Sequence, residues 1–249
     1  MQDEYGRFFV ANVALHATLL VCHLGVYIRS GIAEAGEHIV NIENEIRLPE
    51  GMRAAGAGDW RQLADITADA FRDDPVNRWL FGEPRSIVSA FRVLARDIYS
   101  KRGICHLAGD GGATMWLDYS TGAADAEMSL LAQLSFGIGQ LRHGSKGSMS
   151  RAMKAGELMA RYHPKEPHLY LFTIGTRSSA RGTGLGKALF APVLEACDRN
   201  GVACYLENSN PVNHSYYALH GFETREIFAC GEGGPPLEAM WRKPQLSTA

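Results

Sequence analysis

Arg181-Gly182-Thr183-Gly184-Leu185-Gly186 stands between an apolar run from His168 to Ile174 and a helix-like stretch from Lys187 to Arg199. Strand, glycine-rich turn and helix in that order aim successive backbone N–H groups and a positive helix end at one point, so the segment predicts a cradle for a phosphate anion. Glycines at alternate positions let the backbone approach a diphosphate, because no Cβ intervenes and positive φ is allowed. A mononucleotide P-loop is excluded: Gly186-Lys187 is followed by Ala188, and Arg181 occupies the place of the required earlier glycine. A dinucleotide fold fits poorly, since the spacing is G-x-G-x-G and lies far along the chain.

The pattern left is R-x-x-G-x-G after a strand, carried by Arg181, Gly184 and Gly186, and downstream comes N-x-x-x-Y-x-x-x-G-F in Asn213, Tyr217, Gly221 and Phe222. In order and distance the two motifs resemble those of the GCN5-related N-acetyltransferases (GNAT). Tyr162-His163-Pro164-Lys165-Glu166-Pro167, Leu206 to Ser209, Gly234-Pro235-Pro236 and Met240 to Pro244 narrow the resemblance to the puromycin N-acetyltransferase-like branch, as do Ala70 to Pro75 and Trp79-Leu80-Phe81. It covers roughly residues 52–244 and is densest after Tyr162. Arg177-Ser178-Ser179 departs from it, standing where an acidic residue and proline are common, and Asn208 stands where threonine is usual. Both departures bear on the substrate rather than the cofactor.

The resemblance implies an α/β (α+β) GNAT fold, a mixed twisted sheet of about six to seven strands with helices on both faces. It implies acetyl-CoA as co-substrate and a primary amine of a small molecule as acceptor, attacked directly without an acyl-enzyme. A protein N-terminus or lysine as acceptor, and a non-catalytic acetyl-CoA sensor, are the alternatives. Carried over residue by residue, the backbone of Ile174, Gly175 and Thr176 pairs with the pantetheine arm. Arg181, Gly182, Thr183, Gly184, Leu185 and Gly186 hold the diphosphate, Arg181 by its side chain or by its backbone alone. Lys187 reaches a phosphate or is a surface lysine. Asn213 orders the cofactor arm or caps its helix, and Tyr217, with Tyr216 next in line, protonates the departing thiolate. Glu207, at a strand end, is the candidate for taking the amine's proton, directly or through water; the bland alternative is a solvated strand-end carboxylate.

Composition sets the remaining bounds. A net charge of −2 gives no reason to expect nucleic acid. Five cysteines (Cys22, Cys105, Cys197, Cys204, Cys230), odd in number and without a C-x-x-C pair, suggest neither a disulfide framework nor zinc and fit a reducing, cytoplasmic compartment; Cys197 and Cys204 read as buried small apolar residues. Nine histidines without H-E-x-x-H spacing give no metal site. The basic run Lys146, Arg151, Lys154, Arg161 and Lys165 reads as a solvated helix face.

Residues 1–50 fall outside the resemblance and form an expected N-terminal extension, with the catalytic domain at 51–245. They hold seven acidic and three basic residues, net −4, against +2 for the remainder. Phe8 to Ile28 carries no charge over 21 residues, long enough for a membrane span, but Asn12, His16, Thr18 and His23 interrupt it. An apolar helix packed on the domain, a partner or a second copy, and a natural start at Met52, are the other readings. Further on, Asp59 with Gln62 forms a capping-box pattern ahead of Leu63, Ile66 and Ala70, and Ile87 to Ile98 repeats the helical period. Residues 103–108 and 113–117 read as a hairpin, with helices at about 125–141, 147–162, 184–199 and 212–219. Strands are expected at 168–174, 202–207, 224–229 and 237–242.

Overall fold

The computed structural model describes residues 41–121 and 128–245; the stretch 8–28, Cys22 and the start of the helix expected at 125 lie outside them. A single seven-stranded sheet runs in the order β1 (Met52–Ala54), β2 (Ile104–Ala108), β3 (Gly112–Asp118), β4 (Leu169–Thr176), β5 (Cys204–Asn208), β7 (Pro236–Arg242) and β6 (Glu223–Ala229). Neighbours are antiparallel throughout except β4 and β5. A parallel pair needs a crossover, and α7 (Leu185–Arg199) supplies it.

Side chains alternate across the sheet and so build two cores. Leu169, Leu171, Leu206 and Met240 point to one face, where α1 (Ile42–Glu45), α7 and α8 (His214–Leu219) pack through Ile42, Phe190, Val193 and Tyr217. Tyr170, Tyr205, Ala239 and Trp241 point to the other. That face is covered by α2 (Trp60–Ala70), α3 (Pro75–Phe81), α4 (Pro84–Leu94), α5 (Leu130–His143) and α6 (Ser148–Tyr162). With both faces covered, β2 and most of β3 are buried at every residue rather than at every second one. Ile42 is fully buried although it precedes the domain boundary expected at residue 51. Cys105, Cys197, Cys204 and Cys230 are free and buried, as expected for Cys197 and Cys204. Among the described residues no helix is long and apolar enough to cross a membrane.

One local expectation needs correction. Asp59 makes no forward capping bond at the start of α2. Its carboxylate instead accepts from Gly56 N at 2.8 Å and from both Arg53 guanidinium nitrogens at 2.8 and 2.7 Å, while Gln62 donates to Gly109 O and Asp110. Two charge-assisted bonds to an arginine on β1 outcompete a single bond to a helix N–H.

Candidate active site

The sheet opens at its centre. β4 and β5 pair only over Leu169–Leu171 and Cys204–Leu206, yet β4 runs on to Thr176 and β5 to Asn208. Opposite Trp116 and Met115 of β3 the register skips Phe172, a bulge that re-aims the outer half of β4. The rest of β4 keeps β3 on one side, Thr173 to Thr176 facing Met115 to Gly112. Its backbone groups on the β5 side are left beside a cleft of about 190 Å³ lined by Ile174, Gly175, Thr176, Gly186, Asn213, Tyr216 and Tyr217. Residues from three separate sequence segments thus meet in one place.

The turn from β4 into α7 is exposed at the cleft's edge. Gly182 and Gly184 take φ of 77° and 80°, and a Cβ added to either would meet nothing. Backbone conformation, not crowding, therefore requires glycine there. Gly184 is the N-cap of α7, so the first-turn N–H groups that follow, those of Leu185, Gly186 and Lys187, have no intrahelical acceptor. The turn is held in place on both sides. Ser178 N donates to Asp69 Oδ2 at 2.8 Å, Arg181 Nη2 to Ala70 O at 3.2 Å, and Arg177 Nε to Asp110 O at 2.8 Å. Arg177 and Ser178, which depart from the family pattern, thereby tie the turn to α2 and to the β2–β3 connection. Leu185 packs toward Gly111 and Gly112, while Lys187 is exposed. Of the residues expected to hold a diphosphate, only Gly186 lines the cleft itself; Arg181 to Leu185 precede it in the turn and do not.

Asn213 makes no capping bond to α8; Asn210 caps the preceding turn by accepting from Val212 N. Behind Tyr217, Asp74 caps α3 through Asn77 N and accepts from Ser209 Oγ at 2.6 Å. That contact was invisible in the sequence, because 135 residues separate its ends. Glu207 does not line the cleft. It follows Leu206 on β5 and so faces the side of Tyr205 and Tyr170, under the α2 to α6 layer.

Residues 151–222 match the model of the acetyltransferase (GNAT) family. Those residues thus carry a GNAT-type acetyltransferase domain, and the sheet around them has the GNAT fold. An uncharacterized N-acetyltransferase of Schizosaccharomyces pombe is 26% identical over 214 residues, 77% of this chain and 83% of that protein. A Corynebacterium glutamicum structure described as histone acetyltransferase HPA2 and related acetyltransferase shares 25% identity with a TM-score of 0.54, over 80% of this chain and 98% of that one.

Electrostatics divides these residues into a group that keeps its protons and a carboxyl that exchanges one near neutrality. Burial pushes the Tyr217 phenol well above its usual range, with the neighbouring Tyr216 and Asp74 adding to the effect, and burial lifts Tyr216 to about 12. Both phenols are neutral near pH 7. The Tyr216 hydroxyl is sealed and unpartnered, 3.8 Å from where a Cβ on Gly186 would lie. Burial raises the Glu207 carboxyl to about 7, against the opposing pull of the Tyr170 and Tyr205 hydroxyls and of its own backbone N–H. Glu207 Oε1 and the Tyr205 hydroxyl are sealed without partners, as are Nε2 of His163 and of His168, whose rings lie 5.1 and 5.5 Å from that of Tyr205. His168 Nδ1 sits 2.7 Å from Glu166 O. A carbonyl only accepts, so Nδ1 carries the hydrogen and Nε2 is a bare acceptor.

Proposed function

We propose that this GNAT protein transfers the acetyl group of acetyl-CoA to a primary amine of a small molecule by direct attack in a ternary complex. Acetyl-CoA, the co-substrate, supplies an acyl thioester that is already activated. The observation that carries the proposal is the convergence of the open β4 edge, the α7 N-terminus and Tyr217 on one cleft.

In this reading the N–H groups at the start of α7, with the positive helix end, bind the diphosphate, assisted by Arg181 and Lys187. Ile174, Gly175 and Thr176 offer backbone groups to an extended pantetheine arm, and one N–H there polarises the thioester carbonyl. Asn213 orders the arm where it passes α8. Tyr217, neutral at working pH, gives its proton to the departing thiolate. Glu207, set back from the cleft, takes the amine's proton through water, and its carboxyl near 7 suits an exchange at neutral pH. The cradle favours such a co-substrate on physical grounds, since positive-φ glycines in open space leave room for a diphosphate. Residues 51–245 form the catalytic unit, with Ile42–Glu45 docked onto it.

A protein lysine is the competing acceptor, in keeping with the description of the Corynebacterium relative. The α2 to α6 layer argues for the smaller acceptor: it covers the face on which Glu207 lies, whereas a peptide substrate needs an open groove. Thiol release from acetyl-CoA, measured against puromycin, aminoacyl nucleosides, polyamines, aminoglycosides and short peptides, tests the proposal. Release with a small amine supports it, release with peptides alone favours the protein acceptor, and binding of acetyl-CoA without release to any of them would leave a sensor.

A further inference from the structure

Glu238, the third residue of β7, is a carboxylate buried within the sheet, 8% exposed, beside the elements that carry the proposed chemistry. Asn208 Nδ2 donates to its Oε2 at 3.0 Å. The Thr224 hydroxyl donates to Oε1, and His214 Nδ1 lies 2.7 Å from the same oxygen. Burial alone would raise this carboxyl, but the bonds from Thr224, Asn208 and His214 outweigh it and hold the group below its usual range. An ionised carboxylate only accepts, so His214 Nδ1 carries the hydrogen.

The partners are informative by position. Asn208 directly follows Glu207 at the end of β5, and its own Oδ1 accepts from Asn210 N at 3.1 Å, which fixes the path of the chain as it leaves the strand. His214 opens α8, immediately after the cleft residue Asn213 and three residues ahead of Tyr217. α8 is six residues long and has no side-chain cap of its own. A helix that short is not stable by itself, so its orientation depends on what anchors it. Three anchors are visible: the packing of Tyr216 and Tyr217 on Phe190, the bond from Arg242 Nε to His220 O at the helix end, and the His214–Glu238 contact at its start. A buried carboxylate seldom stabilises a sheet better than an apolar residue of similar size. Stability is therefore a weak account of a carboxylate at the junction of β5, β6 and α8, and its bonding partners point to another use.

We infer that Glu238 is a positioning residue, which sets the helix bearing Tyr217 against the strand end bearing Glu207 through its simultaneous bonds to His214 and Asn208. The inference rests on the transferase reading above. One side chain thereby links the proposed proton donor and proton acceptor, although it touches neither acetyl-CoA nor the amine. The Glu238→Gln variant keeps the shape but removes the charge and replaces one acceptor oxygen by a donor NH₂: at the Oε2 position it meets Asn208 Nδ2 donor to donor, and at the Oε1 position the bond survives only if His214 moves its hydrogen to Nε2 and the Thr224 hydroxyl turns round. His214→Ala opens the α8 arm alone. His214→Asn restores a donor close to where Nδ1 lies.

The test measures the kcat of each purified variant with the best amine of the wild-type panel, the Kd for acetyl-CoA, and amide hydrogen exchange. Glu238→Gln and His214→Ala should each lower kcat by roughly 30- to 100-fold while the acetyl-CoA Kd moves less than about threefold, as expected when reacting groups are displaced by an ångström or so. The double variant should lose little more than either single one, His214→Asn should recover most of what His214→Ala loses, and faster exchange should be confined to residues 208–219. An unchanged kcat in folded Glu238→Gln, losses that multiply in the double variant, or accelerated exchange across the whole sheet would each overturn the inference. If the wild type releases no thiol with any amine, the transferase reading fails; local exchange at 208–219 then still decides whether Glu238 holds α8.

Discussion

Glu207 and Tyr217 must hold opposite protonation states in the proposed reaction, and their surroundings set those states differently. Tyr217 keeps its proton because burial disfavours phenolate. Glu207 titrates at about 7, so kcat/KM for the amine should rise about tenfold per pH unit up to that value and level off above it. Glu207→Gln should flatten that limb and lower the plateau, which a pH–rate profile reads directly. The same shift has a sign for stability. The folded state binds the Glu207 proton more tightly than the unfolded chain does, so this group's contribution is fully present below about 4.5 and declines until the pH passes about 7. Thermal melts of Glu207→Gln should therefore lack that decline and gain on the wild type above pH 7. Tyr217→Phe should lower kcat by roughly 10²-fold with little change in acetyl-CoA affinity, since a lost general acid acts on the transition state. That Tyr217 lies at the cleft was legible in the sequence, because its motif fixes a register of ten residues. The environment of Glu207 was not: Tyr170 and Tyr205 come from two strands, and neither their approach nor the contact of Glu238 with His214, 24 residues away, leaves a local pattern.

Elements reveal themselves where backbone chemistry is demanding. The strand, turn and helix around Gly182 and Gly184 lie within two residues of where the sequence put them, because positive φ and a helix start have few solutions. The start of α2 was misread because the capping pattern could not show that Arg53, on another element, competes for Asp59. Another feature hidden from the sequence is how closely α2 approaches β4. A Cβ on Gly175 would lie 2.6 Å from Ala70 Cβ. Gly175→Ala should push α2 away from the strand and cost about 1–3 kcal/mol in denaturant unfolding. Because Arg181 and Ser178 hang from the end of α2, acetyl-CoA affinity should weaken in the same variant; unaltered affinity in a destabilised protein would show that the cradle is held independently of α2.

Across the whole molecule, strand order was the least legible property. β7 inserts between β5 and β6, so the last strand of the sheet lies inside it rather than at its rim. Arg242, at the end of β7, locks that arrangement. Its guanidinium meets Asp198 of α7 at 2.6 and 2.7 Å, and its Nε donates to His220 O beyond α8 at 2.7 Å. Truncation to Arg242→Ala would leave Asp198, partly exposed, with only the Gln245 N–H of its donors and would loosen two helices from the sheet, so unfolding free energy should fall by about 1.5–3 kcal/mol, the usual worth of bonds to a charged group. A surface-like loss below about 1 kcal/mol would mean that packing alone holds β7 in place.

The parting of β4 from β5 also bears on self-association. Unpaired strand edges ordinarily sit at a sheet's margin, where a second protein can add a strand and begin aggregation. Here the unsatisfied edge is interior, a slot with β3 on one side, α2 pressed against Gly175 on one face and α7 starting on the other. A polypeptide strand, with side chains standing on both faces, would collide with those helices. A slim, unbranched chain with amide groups would not. The fold can thus keep hydrogen-bonding capacity permanently open to a narrow ligand without offering it to other proteins.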